Sequence, residues 1–228
     1  VADADLTGRM TEYVTLQVLL HHRQQRYLDA CQRARKWEPQ PQRAASAVRL
    51  GIMGLGVLGR DAAEVLARLG FAVAGWSRTR KAVPGIACFA GEAEFAPFLA
   101  RTDILVCLLP LTPATRGILD RRTFALLARD GVLGAPVVIN AGRGGLQVEA
   151  DLVAALDDGT LAAASLDVFE TEPLPAASPL WAHPKVTISP HNAADTDPDA
   201  ISVYVADQIA RHERGEALQN VVDRRLGY

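Results

Sequence analysis

The sequence predicts an α/β fold built on a doubly wound parallel sheet, and three observations carry that expectation. From Val48 onward, short apolar runs alternate with helical segments, the pattern of strands buried on both faces by crossover helices. A glycine-rich turn, Gly54-Leu55-Gly56-Val57-Leu58-Gly59, separates the first run from the first helix. Polar motifs then follow three of the later runs, at the sheet edge where doubly wound proteins bind ligands.

Taken in order, residues 7–36 read as one long helix. Tyr13, Leu16, Leu20, Tyr27 and Cys31 recur at helical spacing, and Met10, Val14 and Val18 widen the apolar face. So broad a face needs a partner, either a second chain or a preceding domain. Pro39 and Pro41 end the helix in an extended linker, giving a first division of 1–47. Strands are expected at 48–53, 71–76, 103–109, 137–140, 163–169 and 186–189. Helices are expected near 57–69, 92–101, 120–129 and 147–158, so the sheet domain spans 48–192. A last helix near 197–215 and a tail to Tyr228 make the third division, 193–228.

Composition removes several function classes. A net charge of −2 with no basic block gives no support to nucleic-acid or anionic-membrane binding. The longest apolar run, 104–111, is interrupted by Pro110 and is far short of the roughly 18 residues a membrane helix needs. Cys31, Cys88 and Cys107 are scattered without metal-like spacing, so no structural metal is expected and a reducing cytoplasm is the simplest compartment.

In its strand–turn–helix setting the glycine turn reads as a Rossmann-type dinucleotide site. Gly54 permits the tight turn, Gly56 lets the backbone approach a pyrophosphate, and Gly59 lets helix and strand pack closely. Val57 and Leu58 open the helix whose free N–H groups would receive the phosphates. After the second strand, Trp76-Ser77-Arg78-Thr79-Arg80-Lys81 offers no acid for a ribose 2′-hydroxyl. Ser77 can donate to a 2′-phosphate while Arg78 pairs with it, so NADP(H) is preferred over NAD(H). The sequence leaves open which of Arg78, Arg80 and Lys81 makes the contact.

Three residues carry the candidate chemistry. Arg143 lies in Asn140-Ala141-Gly142-Arg143-Gly144, Glu172 in Asp167-Val168-Phe169-Glu170-Thr171-Glu172-Pro173, and His191 in Ser189-Pro190-His191-Asn192-Ala193. Read singly, each also fits a surface cation, a loop acid and a helix-entry histidine. Together they suit reduction of a 2-keto acid. Arg143 would clamp the carboxylate through paired hydrogen bonds, and His191 would protonate the keto oxygen as hydride arrives. Glu172 would accept a hydrogen bond from the imidazole and favour its charged form.

These motifs, with Leu109-Pro110-Leu111-Thr112 and Pro179-Leu180-Trp181, resemble those of the D-isomer-specific 2-hydroxyacid dehydrogenases. Within that family the chain looks most like the branch that reduces glyoxylate and hydroxypyruvate, the ending Val222 to Tyr228 included. The resemblance implies Arg143, Glu172 and His191 as the catalytic trio. It further implies that Asp167 meets the nicotinamide carboxamide, that Leu109, Pro110 and Ala141 line the cofactor, and that the long helix joins a homodimer. Family members carry a further amino-terminal segment that forms most of a substrate domain, which is expected to be absent here. Gly142 stands where alanine is common and is expected to loosen the Arg143 loop.

Two other readings stay open: a truncated, non-catalytic NADP-binding dimerisation module, and a formate- or phosphite-type dehydrogenase. Formate enzymes usually carry Gln where Glu172 stands, which argues against the last.

Overall fold

A computed structural model describes residues 4–221; the tail 222–228, including the sequence ending noted above, lies outside the described residues. The strands are β1 (Arg49–Met53), β2 (Ala72–Ser77), β3 (Ala87–Ala90), β4 (Ile104–Cys107), β5 (Val137–Asn140), β6 (Ala163–Leu166) and β7 (Val186–Ile188). They form one parallel sheet in the order β3-β2-β1-β4-β5-β6-β7. The strand order reverses between β1 and β4, which opens a crevice beyond their carboxyl ends.

The helices are α1 (Ala4–His22), α2 (Gln25–Arg33), α3 (Val57–Arg68), α4 (Phe95–Ala100), α5 (Arg121–Leu126), α6 (Glu149–Asp157) and α7 (Pro198–Glu213). Each face of the sheet has its own core. On one face Val14 and Val18 of α1 join Leu66 of α3 and Leu50 and Ile52 of β1. On the other, Phe98, Phe124 and Leu152 from α4, α5 and α6 pack on Leu105 and Val138. Alternate residues of one strand thus serve opposite cores, as the two-residue repeat of side-chain direction requires. The expected architecture is the observed one.

Two elements differ from the sequence expectation. The single helix over 7–36 is two helices, broken where Gln24 turns left-handed at φ 55°. Apolar spacing continues across this turn, so periodicity could not register it. The break lets α2 swing toward β7, where Arg26 donates to Val186 O at 2.9 Å and Pro184 O at 2.7 Å. The second difference is β3, which was not expected. It is a four-residue edge strand, only partly buried and without β-branched residues, that pairs with β2 from Ala74↔Ala87 to Ser77↔Ala90.

The carboxyl-terminal helix falls where its signals put it. The Asp197 carboxylate accepts from Asp199 N at 3.0 Å, and Pro198 occupies the first turn.

Candidate active site

The glycine turn does what its three glycines demand. Gly54 has φ 104°, closed to most side chains, and a Cβ there would also come within 2.9 Å of Leu108 O. A Cβ on Gly59 would meet Gly54 O at 1.9 Å, so helix and strand touch through bare backbone. Gly56 is the opposite case, with nothing within 4 Å of where its Cβ would stand. It precedes α3 without a side-chain cap, so the amides of the first turn face outward at the positive end of the helix. An open depression of about 450 Å³ adjoins this turn, lined by Gly56, Val57, Arg60 and Lys81 among others. A dinucleotide pyrophosphate suits the bare backbone and uncapped amides, while Arg60 and Lys81 beside them are offset by Asp61 and Glu64.

At the end of β2 all three cations, Arg78, Arg80 and Lys81, are exposed. Arg80 is committed to Glu94 and to Cys88 O at the β3 edge. The Ser77 hydroxyl, expected to face a phosphate, instead donates to Thr79 O at 2.8 Å and shapes its own turn.

The Arg143 loop leaves the end of β5. Asn140 is fully buried and organises it through its side-chain amide. Its oxygen accepts from Gly142 N at 3.1 Å; its nitrogen donates to Arg143 O at 3.2 Å and to Gln147 Oε1 at 3.0 Å. Gln147 in turn donates to Val168 O at 3.1 Å, tying this loop to the one after β6. Gly142 is closely packed. A Cβ there would come within 2.8 Å of Leu146 Cδ1 and 2.9 Å of Leu109 O, so the glycine fits a close contact. Ala141 and Leu109 are buried beside it and Pro110 is half-buried, while Arg143 is exposed and its guanidinium donates to Gly142 O at 2.6 Å.

Glu172 and His191 meet. His191 Nδ1 and Glu172 Oε2 are 2.6 Å apart, and the other carboxylate oxygen accepts from Phe169 N at 2.9 Å. Burial pushes the Glu172 carboxyl up. The hydrogen bonds from His191 and Phe169, with the charges of His191 and Arg143, outweigh burial and hold it below its usual value. With Nδ1 fixed by Glu172, Nε2 is the ring nitrogen left to face a reactant.

The backbone of His191 is left-handed, at φ 54°, uncommon for a residue with a side chain. Such a conformation persists where its surroundings over-determine it. Here His191 N donates to Asp167 O at 2.8 Å, and Asn192 N and Ala193 N donate to the Asp167 carboxylate at 3.1 and 3.0 Å. Asp167 is itself buried, 2% exposed, and also accepts from Ser189 Oγ at 2.6 Å.

The sequence comparisons join this geometry. The family described as D-isomer specific 2-hydroxyacid dehydrogenase, NAD binding domain, matches residues 15–193. This chain belongs to that family. Among relatives, glyoxylate/hydroxypyruvate reductase A of Klebsiella pneumoniae strain 342 is 44% identical over 226 residues, covering 99% of this chain and 71% of the relative. A crystal structure of an NADPH-dependent glyoxylate/hydroxypyruvate reductase from Sinorhizobium meliloti, in complex with NADP and sulfate, superposes with a TM-score of 0.98. It is 51% identical and covers 100% of this chain and 72% of that one. A probable 2-hydroxyacid dehydrogenase from Rhizobium etli, with NADP, HEPES and L(+)-tartaric acid, gives a TM-score of 0.96. Its identity is 52%, over 100% of this chain and 71% of that one.

Four residues that build the site of this dehydrogenase chain escaped the sequence reading as functional: Asn140, Gln147, Ser189 and Tyr13. Asn140 and Gln147 are polar residues in apolar surroundings, a signal that could have singled them out. Nothing local pointed to Tyr13, which lies in the first helix and reaches Ser189 across 176 positions of chain. Among the described residues no helix is long and apolar enough to cross a membrane, and no cluster of side chains is arranged to hold a metal.

Proposed function

We propose that this chain is an NADPH-dependent reductase of small 2-keto acids, with glyoxylate and hydroxypyruvate as first candidates. The observation that carries the reading is the Glu172–His191 pair, joined at 2.6 Å beyond the carboxyl ends of the strands. When bound, the nicotinamide supplies hydride. The protein's own contribution is to position, to charge and to protonate.

In this reading Arg143 binds the substrate carboxylate and turns the keto carbon toward the crevice. His191 gives the proton on Nε2 to the keto oxygen. Glu172 holds the ring from the other side and stabilises it while it is charged. Gly54, Gly56, Val57, Leu58 and Gly59 receive the pyrophosphate, while Leu109, Pro110 and Ala141 line the cofactor. Arg78 faces the 2′-phosphate with Lys81 close in sequence, and the Ser77 hydroxyl holds their turn. Asp167 holds the His191 loop with both carboxylate oxygens, and the acceptor capacity left on them meets the nicotinamide carboxamide. The apolar Leu16, 54% exposed on α1, supports a homodimer. Three unpaired cysteines support a reducing cytoplasm.

The test is to follow NADPH oxidation with glyoxylate and with hydroxypyruvate, and to compare NADPH with NADH binding. Turnover with either acid and tighter binding of NADPH are the expected results. Tight NADPH binding without turnover would instead favour a non-catalytic dimerising module.

A further inference from the structure

The helix α1 reaches the catalytic loop through an unbroken polar chain. Tyr13 Oη and Ser189 Oγ are 2.8 Å apart, and Ser189 Oγ is 2.6 Å from Asp167 Oδ1. A carboxylate only accepts, so the single serine proton goes to Asp167 and the tyrosine must be the donor to Ser189. The next links are Asn192 N and Ala193 N on the same carboxylate, and His191 N on the Asp167 carbonyl. These are the bonds that hold His191 left-handed.

The same helix makes a second attachment further along, where Arg9 donates to Asp195 O at 2.6 Å. The helix is a firm base, because Val14 and Val18 are wholly buried against the sheet. Burial also pushes the Tyr13 hydroxyl up to about 12, so it keeps the proton it donates at neutral pH.

We infer that Tyr13 is a positioning residue for His191, fixing the proton-donating loop from α1 through Ser189 and Asp167. The inference rests on the reading of His191 as the proton donor, and it adds a group that touches neither substrate nor cofactor. Its signature is a defect in the chemical step alone. Capture of the substrate carboxylate belongs to the Arg143 loop and capture of the pyrophosphate to the glycine turn; the Arg143 loop meets this chain of bonds only through backbone, where Asp167 N donates to Asn140 O at 3.0 Å.

The test replaces Tyr13 by Phe in the full-length protein, which removes one oxygen and keeps the ring in its packing. Amide hydrogen exchange at Asn192 and Ala193 should quicken roughly tenfold, the effect of losing about one hydrogen bond, while Leu50 and Ile52 in the core keep their rates. Turnover should fall by a similar factor, with the keto-acid KM and the NADPH Kd within about twofold of wild type. The loss should vanish when the change is added to His191→Gln, because Tyr13 then has nothing to position. Ser189→Ala should reproduce the defect and Ser189→Thr, which keeps the hydroxyl, should restore it. Unaltered exchange at Asn192 and Ala193, or a loss carried by KM or Kd, overturns the inference. A wild-type enzyme without keto-acid turnover overturns the functional reading instead, and the exchange measurement still decides the clamp.

Discussion

The Arg143 and His191 loops leave neighbouring parts of one sheet edge, yet they are fixed in different ways. Arg143 sits in a turn folded by neutral amides from nearby sequence, Asn140 and Gln147. His191 is held by a buried carboxylate 24 positions away and by a hydroxyl from the first helix. The proposed tasks explain the difference. A guanidinium is charged at any working pH and reaches its target on a long stem, so a sound backbone turn suffices. An imidazole must present one nitrogen in one direction, and that calls for constraints on both its ring and its backbone.

Three experiments would break or sharpen this contrast. The largest effect is expected at the ring: His191→Gln should lower turnover by roughly 10²–10⁴ and leave NADPH affinity unchanged in a fluorescence titration. The two supports come next. Asp167→Ala strands three donors that a buried carboxylate now satisfies, and should cost roughly 2–4 kcal/mol of stability in urea unfolding. Asn140→Ala removes a neutral network and should cost about 1–2 kcal/mol, with its kinetic loss in the keto-acid KM. Equal costs, or a KM defect in both, would erase the distinction between the loops.

The smallest effect concerns pH. Because Glu172 is held below the usual glutamate value of 4.5, the unfolded chain takes up this proton first as pH falls. Its stabilisation is present above the unfolded value and disappears as pH drops through the lower folded one. Between roughly pH 5 and 3 the wild type should lose urea resistance more steeply than Glu172→Gln. Parallel curves would mean that the carboxylate contributes nothing through its ionisation.

What could be read in the sequence follows the same division. The sheet, the glycine turn and the Arg143 motif are written in consecutive residues, and apolar runs or short spacings reveal them. The three-residue set Arg143, Glu172 and His191 was visible because each member lies in its own short motif after a strand. The break at Gln24 was hidden because one left-handed residue leaves the apolar spacing intact. Edge strand β3 was hidden because Ala87-Cys88-Phe89-Ala90, only partly buried at the sheet edge, lacks the β-branched residues of β4, β5 and β7. Tyr13 was hidden for a different reason: its apolar neighbours Met10, Val14 and Val18 already accounted for it as part of a helix face. Its hydroxyl gains meaning only when folding brings Ser189 beside it.

The left-handed backbone at His191 also decides which substitutions there can be interpreted. Asn tolerates that conformation better than most residues, whereas Val, Ile and Thr crowd it with a branched carbon. A saturation library at this position would therefore sort its members by soluble yield before any assay is run. An inactive Asn variant would speak to proton transfer, but an inactive Val variant would speak mainly to a chain unable to close its turn.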